Sequence, residues 1–165
     1  MLSTVEKVLL LRGVSIFSET PDDILADVAA IAEETYASAG ETIITRGDIG
    51  TTMYVIIRGA VRVHAGELTI AALRDRAVFG ELAALDPEPR SASVTATEDS
   101  HLLSVDHDVL LDLIAERVEV ARGIIRFLCQ RIRLTTSAAG TPGGVPTVGS
   151  LASEISGRLE GGDRA

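Results

Sequence analysis

The 165 residues are 46% hydrophobic and carry a formal net charge of −9, enough apolar material for one packed core but filled by aliphatic side chains, since only two tyrosines and three phenylalanines occur. The acidic balance disfavours nonspecific attraction to nucleic acid or to an anionic membrane surface. One cysteine, Cys129, excludes an internal disulfide and a cysteine-cluster metal site; no apolar run suits a signal peptide or a membrane span, so a cytoplasmic chain is expected.

Residues 4–13 place apolar side chains at helical spacing and stop at Gly13. A second helix is expected from Thr20-Pro21-Asp22-Asp23, with Thr20 as N-cap and Pro21 in the first helical position. Its apolar face is Ile24, Leu25, Val28, Ala29 and Ile31. The period then drops to about two residues. Segments near 33–38, 41–46, 52–58, 60–65, 68–73, 91–96 and 101–105 are short, rich in Ile, Val, Thr and Tyr, and separated by turn residues. Strands of that length and spacing predict an antiparallel sandwich or barrel.

Between the last of these segments lies the block Phe79-Gly80-Glu81-Leu82-Ala83-Ala84-Leu85-Asp86-Pro87-Glu88-Pro89-Arg90-Ser91-Ala92-Ser93-Val94. Gly80 admits close backbone approach, and Glu81 to Leu85 form about one helical turn whose free N–H groups face an anion. Arg90 returns as a fork of donors suited to a phosphate. Glu81 cannot serve the phosphate, because like charges repel, so it is expected to accept from a neutral donor such as a ribose hydroxyl. A phosphate beside a ribose is a nucleotide. The plain alternative is an Arg90–Glu81 salt bridge that closes a loop.

This block resembles the phosphate-binding cassette of cyclic-nucleotide-binding domains, with pattern F-G-E-[LI]-A-[LA]-L, a variable stretch, then P-R-[STA]-A-[ST]-V. A second stretch, Gly47 to Gly59, resembles the family signature G-D-x-[GA]-x-x-x-[YF]-[IV]-[IV]-x-x-G, and Leu11 to Pro21 resembles its N-terminal helical segment. The resemblance implies a double-stranded, jelly-roll-like antiparallel β-roll, mainly β with flanking α. N-terminal helices, a short phosphate-binding helix and two C-terminal lid helices complete it. It implies ligand contacts from Gly80, Glu81, Leu82, Ala83, Arg90, Ser91 and Ala92. Arg90 and the helix N-terminus would hold the cyclic phosphate, and Glu81 the ribose 2′-hydroxyl. One departure stands out. The family has L-G-x-G before the cassette, whereas this chain has Leu73-Arg74-Asp75-Arg76. If those positions require positive φ, each arginine costs about 1 kcal/mol.

Asp106 is the expected N-cap of a helix through Leu110, Leu111 and Ile114, and a longer helix follows over about 118–134. On the second, Val118, Ala121, Ile125, Leu128 and Ile132 recur at alternating spacings of three and four. That stripe suits a partner helix and the chain's own β-roll equally. Gly123 interrupts this helix and is expected to weaken it or act as a hinge. The family resemblance makes these helices a lid, with Arg122 and Arg126 as candidate base contacts. Residues 1–134 are therefore expected to form the nucleotide-binding domain and 135–165 a flexible Gly/Ala/Pro/Ser-rich tail, with a brief helix over 150–160.

His64, His101 and His107 form no metal-ligand spacing, and no Ser-His-Asp elbow, Walker lysine or dinucleotide fingerprint occurs. No enzyme and no metal or cofactor are expected. The expected ligand is cAMP in preference to cGMP, because no second guanine reader is evident; Ser91 suits either base and does not decide. About thirty residues after the long helix leave no room for a winged helix-turn-helix, so no nucleic-acid partner is expected. The expected output is lid movement toward a homodimer mate, through 118–134, or toward an effector protein, with no membrane insertion. The competing reading is a ligand-free β-roll that acts as a protein–protein interaction module.

Overall fold

The computed structural model describes residues 1–138, and the chain divides into a unit of Met1–Phe127 and a second of Leu128–Ala165. In the first unit, helix α1 (Thr4–Leu11) opens with a capping box. The Ser3 hydroxyl accepts from the Glu6 N–H at 3.3 Å, and the Glu6 carboxylate accepts from the Ser3 N–H at 2.8 Å. A 3-10 turn (Ser15–Phe17) leads to α2 (Asp22–Ile31), which buries Ile24, Leu25, Val28 and Ala29 as its periodicity predicts. Thr20 does not cap α2. Pro21 takes the cap position, and the Thr20 hydroxyl is buried without a hydrogen-bond partner among the described residues.

Ten antiparallel strands follow: β1 (Glu33–Ala37), β2 (Thr42–Ile44), β3 (Ile49–Gly50), β4 (Thr52–Arg58), β5 (Ala60–Ala65), β6 (Leu68–Arg74), β7 (Val78–Phe79), β8 (Glu88–Pro89), β9 (Ser93–Ala96) and β10 (Ser100–Asp106). They form two four-stranded sheets, ordered β1-β10-β4-β7 and β2-β9-β5-β6, and a two-stranded ribbon of β3 and β8. The seven longer strands match the alternating segments of the sequence. The architecture is the expected antiparallel β-roll with flanking helices.

Alternation along β4 and β10 explains how one sheet serves two cores. Met53 and Val55 with Leu103 and Val105 join Leu11, Phe17, Leu25 and Leu110 on the helical side. Ile56 and Leu102 join Ile44, Val61, Phe79 and Val94 between the sheets. Both faces of this sheet are buried, so its central strand reads as a nearly continuous apolar run.

Asp106 caps α3 (His107–Glu116) as expected, accepting from the Asp108 N–H at 3.0 Å. Helix α4 (Val118–Ala138) packs Val120 and Ile124 into the helical core, while Val118 and Ile125 of the anticipated stripe are about three-fifths exposed. Gly123 is a contact point rather than a weak spot. A Cβ there would lie 2.3 Å from the Thr20 hydroxyl oxygen. In the second unit, Leu128 and Ile132 are also exposed, and the helix runs four residues into the expected tail. The hydroxyls of Thr135, Thr136 and Ser137 donate back to helix carbonyls, so these polar residues continue the helix. The rest of the expected tail, with its brief helix, lies outside the described residues.

Candidate functional site

The cassette begins where β7 leaves β4. Gly80 adopts φ +71°, a left-handed conformation that turns the chain into a 3-10 turn, Glu81–Ala84, in place of a full α-helical turn. Ala83 and Leu85 donate to Gly80 and Leu82 carbonyls, whereas the N–H groups of Glu81 and Leu82 find no acceptor among the described residues. They are the free donors that the sequence places at this turn. The far end is fixed by His107, whose Nδ1 donates to the Ala84 carbonyl at 2.9 Å and so ties the turn to α3.

Arg90 sits opposite. Its backbone is zipped to the Gly47-Asp48 turn, with Arg90 N–H donating to the Asp48 carbonyl and Gly47 N–H to the Arg90 carbonyl, both at 2.8 Å. The second family signature therefore grips the first. The guanidinium lies between Gly50 and Gly80: a Cβ on Gly50 would fall 2.0 Å from Arg90 Nε, and one on Gly80 2.5 Å from Nη1. Nη2 donates to the Thr52 carbonyl at 2.6 Å. No carboxylate pairs with Arg90 among the described residues, so the plain Arg90–Glu81 salt bridge is absent. Partial burial lowers the guanidinium's pKa from its usual value, with Tyr54 acting in the opposite direction, yet arginine stays cationic. The result is a held cation with donors to spare.

This cation opens on a crevice of about 200 Å³ lined by Ile44, Asp48, Gly50, Thr52, Tyr54 and Arg90. That volume is below the usual range of about 300–1,000 Å³ for whole small-molecule ligands. It suits the phosphate end of a ligand. A larger groove of about 850 Å³ lies around Tyr36, Arg58 and His101, but it mixes Arg58 with Glu98 and Asp99 and shares no residue with the cassette.

The other anticipated residues are placed less tightly. Glu81 accepts from the Ser15 hydroxyl at 3.1 Å and does not bond Arg90. Leu82 is exposed and Ala83 is buried. Ser91 is exposed and Ala92 half-buried in the bend that precedes β9. Arg122 and Arg126 lie exposed on α4 and form no ion pair among the described residues. Ser15 carries no signal in the sequence, and Gly50 stands there only as a turn residue between strand segments and as part of the Gly47–Gly59 signature. The close approach of Gly50 to Arg90 is a tertiary fact.

The model of the family described as cyclic nucleotide-binding domain matches residues 34–117, which include the cassette, the Gly47–Gly59 signature and α3. This chain belongs to the cyclic nucleotide-binding domain family. Over 105 residues it is 34% identical to the CRP-like cAMP-activated global transcriptional regulator of Mycobacterium tuberculosis, a match covering 59% of this chain and 46% of the relative. It is 37% identical over 99 residues to the cyclic AMP receptor protein of Thermus thermophilus, covering 57% and 46%. Its fold is shared with the N-terminal domain of a transcriptional regulator from Streptomyces coelicolor A3(2), at TM-score 0.73 and 30% identity, covering 80% of this chain and 95% of that one. The chain spans about half the length of the curated relatives it matches. These relatives are named as regulators or receptors, and what the chain shares with them is the cyclic nucleotide-binding domain. Two are named transcriptional regulators, so the expectation that nucleic acid is no partner has no support. Among the described residues, no helix is long and apolar enough to cross a membrane.

Proposed function

We propose that this domain binds cAMP in preference to cGMP and converts binding into movement of α3 and α4. The observation that carries the reading is Arg90: a cation without a carboxylate partner among the described residues, wedged between two glycines beside a turn with two free N–H groups. An anion of phosphate size satisfies both sets of donors. Glu81 would take the ribose 2′-hydroxyl, Leu82 and Ala83 would line the turn, and Ser91 and Ala92 would border the phosphate. Arg122 and Arg126 are the candidate base contacts. The preference for cAMP is supported by the names of the two curated relatives, one cAMP-activated and one a cyclic AMP receptor.

Output is supported by two ties. His107 joins the cassette turn to the start of α3, and Arg117, between α3 and α4, pairs with Asp27 of α2 at 2.5 Å. A phosphate that draws the turn inward pulls on the first and loads the second. Micromolar binding is worth about 8 kcal/mol. A phosphate contact that differs by about 1.5–3 kcal/mol between open and closed lids gives a switch of about tenfold to a hundredfold. The exposed stripe Val118, Ile125, Leu128 and Ile132 supports a homodimer through α4, since Val120 and Ile124 already satisfy the body.

Calorimetric titration with cAMP and cGMP in parallel tests the reading. Low-micromolar binding with cAMP the tighter is expected. Tighter cGMP would reverse the base preference, and silence from both on folded, nucleotide-free protein would favour the interaction module.

A further inference from the structure

Glu81 is the acid of the cassette, yet its carboxylate is held 3.1 Å from the hydroxyl of Ser15, in the 3-10 turn after α1. The neighbours of Ser15 locate this bond. Val14, Ile16 and Phe17 belong to the core on the helical side of the β1-β10-β4-β7 sheet. The crevice beside Arg90 is lined instead by Ile44 and Tyr54, which pack in or against the core between the sheets. The carboxylate thus bonds Ser15 and is not among the groups that line the crevice beside Arg90.

We infer that Ser15 is a positioning residue that holds Glu81 out of the ligand crevice, so that a ribose 2′-hydroxyl must exchange with the Ser15 hydroxyl to reach the carboxylate. The inference rests on the assignment of Arg90 to phosphate and Glu81 to ribose. Its chemistry is an exchange of like for like. Serine and ribose each offer one neutral O–H donor, so the bond gained with ligand replaces one already made without it. The 2′-hydroxyl therefore adds little net affinity while Ser15 is present. Removing the serine hydroxyl leaves the free protein's carboxylate to water and lets the ribose bond count in full. Ser15 is half-buried and makes no other side-chain bond among the described residues, so alanine is compatible with the fold.

The test is calorimetric titration of wild type, Ser15→Ala and Ser15→Thr with cAMP and with 2′-deoxy-cAMP. Wild type is expected to bind the two within about twofold of each other. Ser15→Ala is expected to bind cAMP about tenfold tighter than wild type, with 2′-deoxy-cAMP unchanged. Ser15→Thr, which keeps the hydroxyl, restores the wild-type ratio. A purely structural role would move both nucleotides together. An unchanged or reduced cAMP to 2′-deoxy-cAMP ratio in Ser15→Ala overturns the inference while leaving the nucleotide assignment intact. Failure of wild type to bind either nucleotide overturns both.

Discussion

Arg76 has φ +69° and is the one non-glycine residue at positive φ among those described. The family pattern marks two positions here as glycine, and this chain fills both with arginine. Only one bears the strain. Arg74 closes β6 in register with Ala60, whereas Arg76 forms the turn, its N–H donating to the Ile56 carbonyl at 2.7 Å. A left-handed conformation costs a non-glycine residue about 1–2 kcal/mol, and glycine's extra unfolded freedom returns about 0.5–1 kcal/mol of that. Arg76→Gly is therefore expected to stabilise the domain by about 0.5–1 kcal/mol, a rise of a few degrees in melting temperature by calorimetry. A lower melting temperature would contradict the assignment of strain. The sequence told where the two glycines were missing; the register of β6 against β5 decides which of them matters.

At the scale of elements, Thr20 and Gly123 show where local rules lose to packing. Threonine before proline reads as a cap, and glycine in a helix reads as weakness, yet the two residues simply meet. Alanine at Gly123 gains about 1 kcal/mol of helix propensity. Its Cβ would also lie 2.3 Å from the Thr20 hydroxyl, 3.1 Å from its Cα and 3.2 Å from its Cβ, so backbone must move. Overpacking of that kind costs about 1–3 kcal/mol and wins. Gly123→Ala is expected to lower the melting temperature, and Thr20→Ala in the same chain to recover most of the loss; a stabilised Gly123→Ala would count against the contact. The seven longer strands were legible because alternation is local. The two-residue strands β3, β7 and β8 were not, because partners far along the chain define them. The bond between Ser15 and Glu81 was hidden for the same reason.

Strand β1 holds a second long-range tie with a pH signature. Glu34 accepts from the Leu2 N–H at 2.6 Å and pairs with His101 Nε2 at 2.8 Å. The backbone bond first, and the histidine after it, hold the carboxyl below its usual value of 4.5. A carboxylate with a depressed folded-state pKa stabilises above its unfolded value and loses that contribution as pH falls through the folded one. Glu34→Gln is thus expected to melt lower than wild type near neutral pH, with the gap closing once pH drops below about 4.5. A gap that persists in acid would show that the tie does not depend on charge.

Over the whole molecule, two distant segments meet at Arg90 and form the proposed anion site. The Gly47–Gly59 stretch supplies the turn that grips Arg90 and the carbonyl that holds it, and the cassette supplies the free N–H groups. Both segments were recognisable from residue pattern, since each depends on small residues at fixed spacing. The direction of Glu81 and the role of Gly50 were not, since both depend on partners far along the chain, Ser15 and Arg90. The net charge of −9 opposes an anionic ligand at long range, so affinity must come from this local geometry. On the proposed assignment, deleting the guanidinium removes a partly buried charged contact with the phosphate worth about 2–5 kcal/mol. In the free protein the same deletion gives up one hydrogen bond of about 1 kcal/mol, to the Thr52 carbonyl. The most direct measurement is calorimetric titration of wild type and Arg90→Ala with cAMP, alongside their melting curves without ligand. We expect cAMP affinity to fall at least about thirtyfold while the ligand-free melting temperature stays within a few degrees. Binding of cAMP by Arg90→Ala as tightly as by wild type would contradict the assignment of this site.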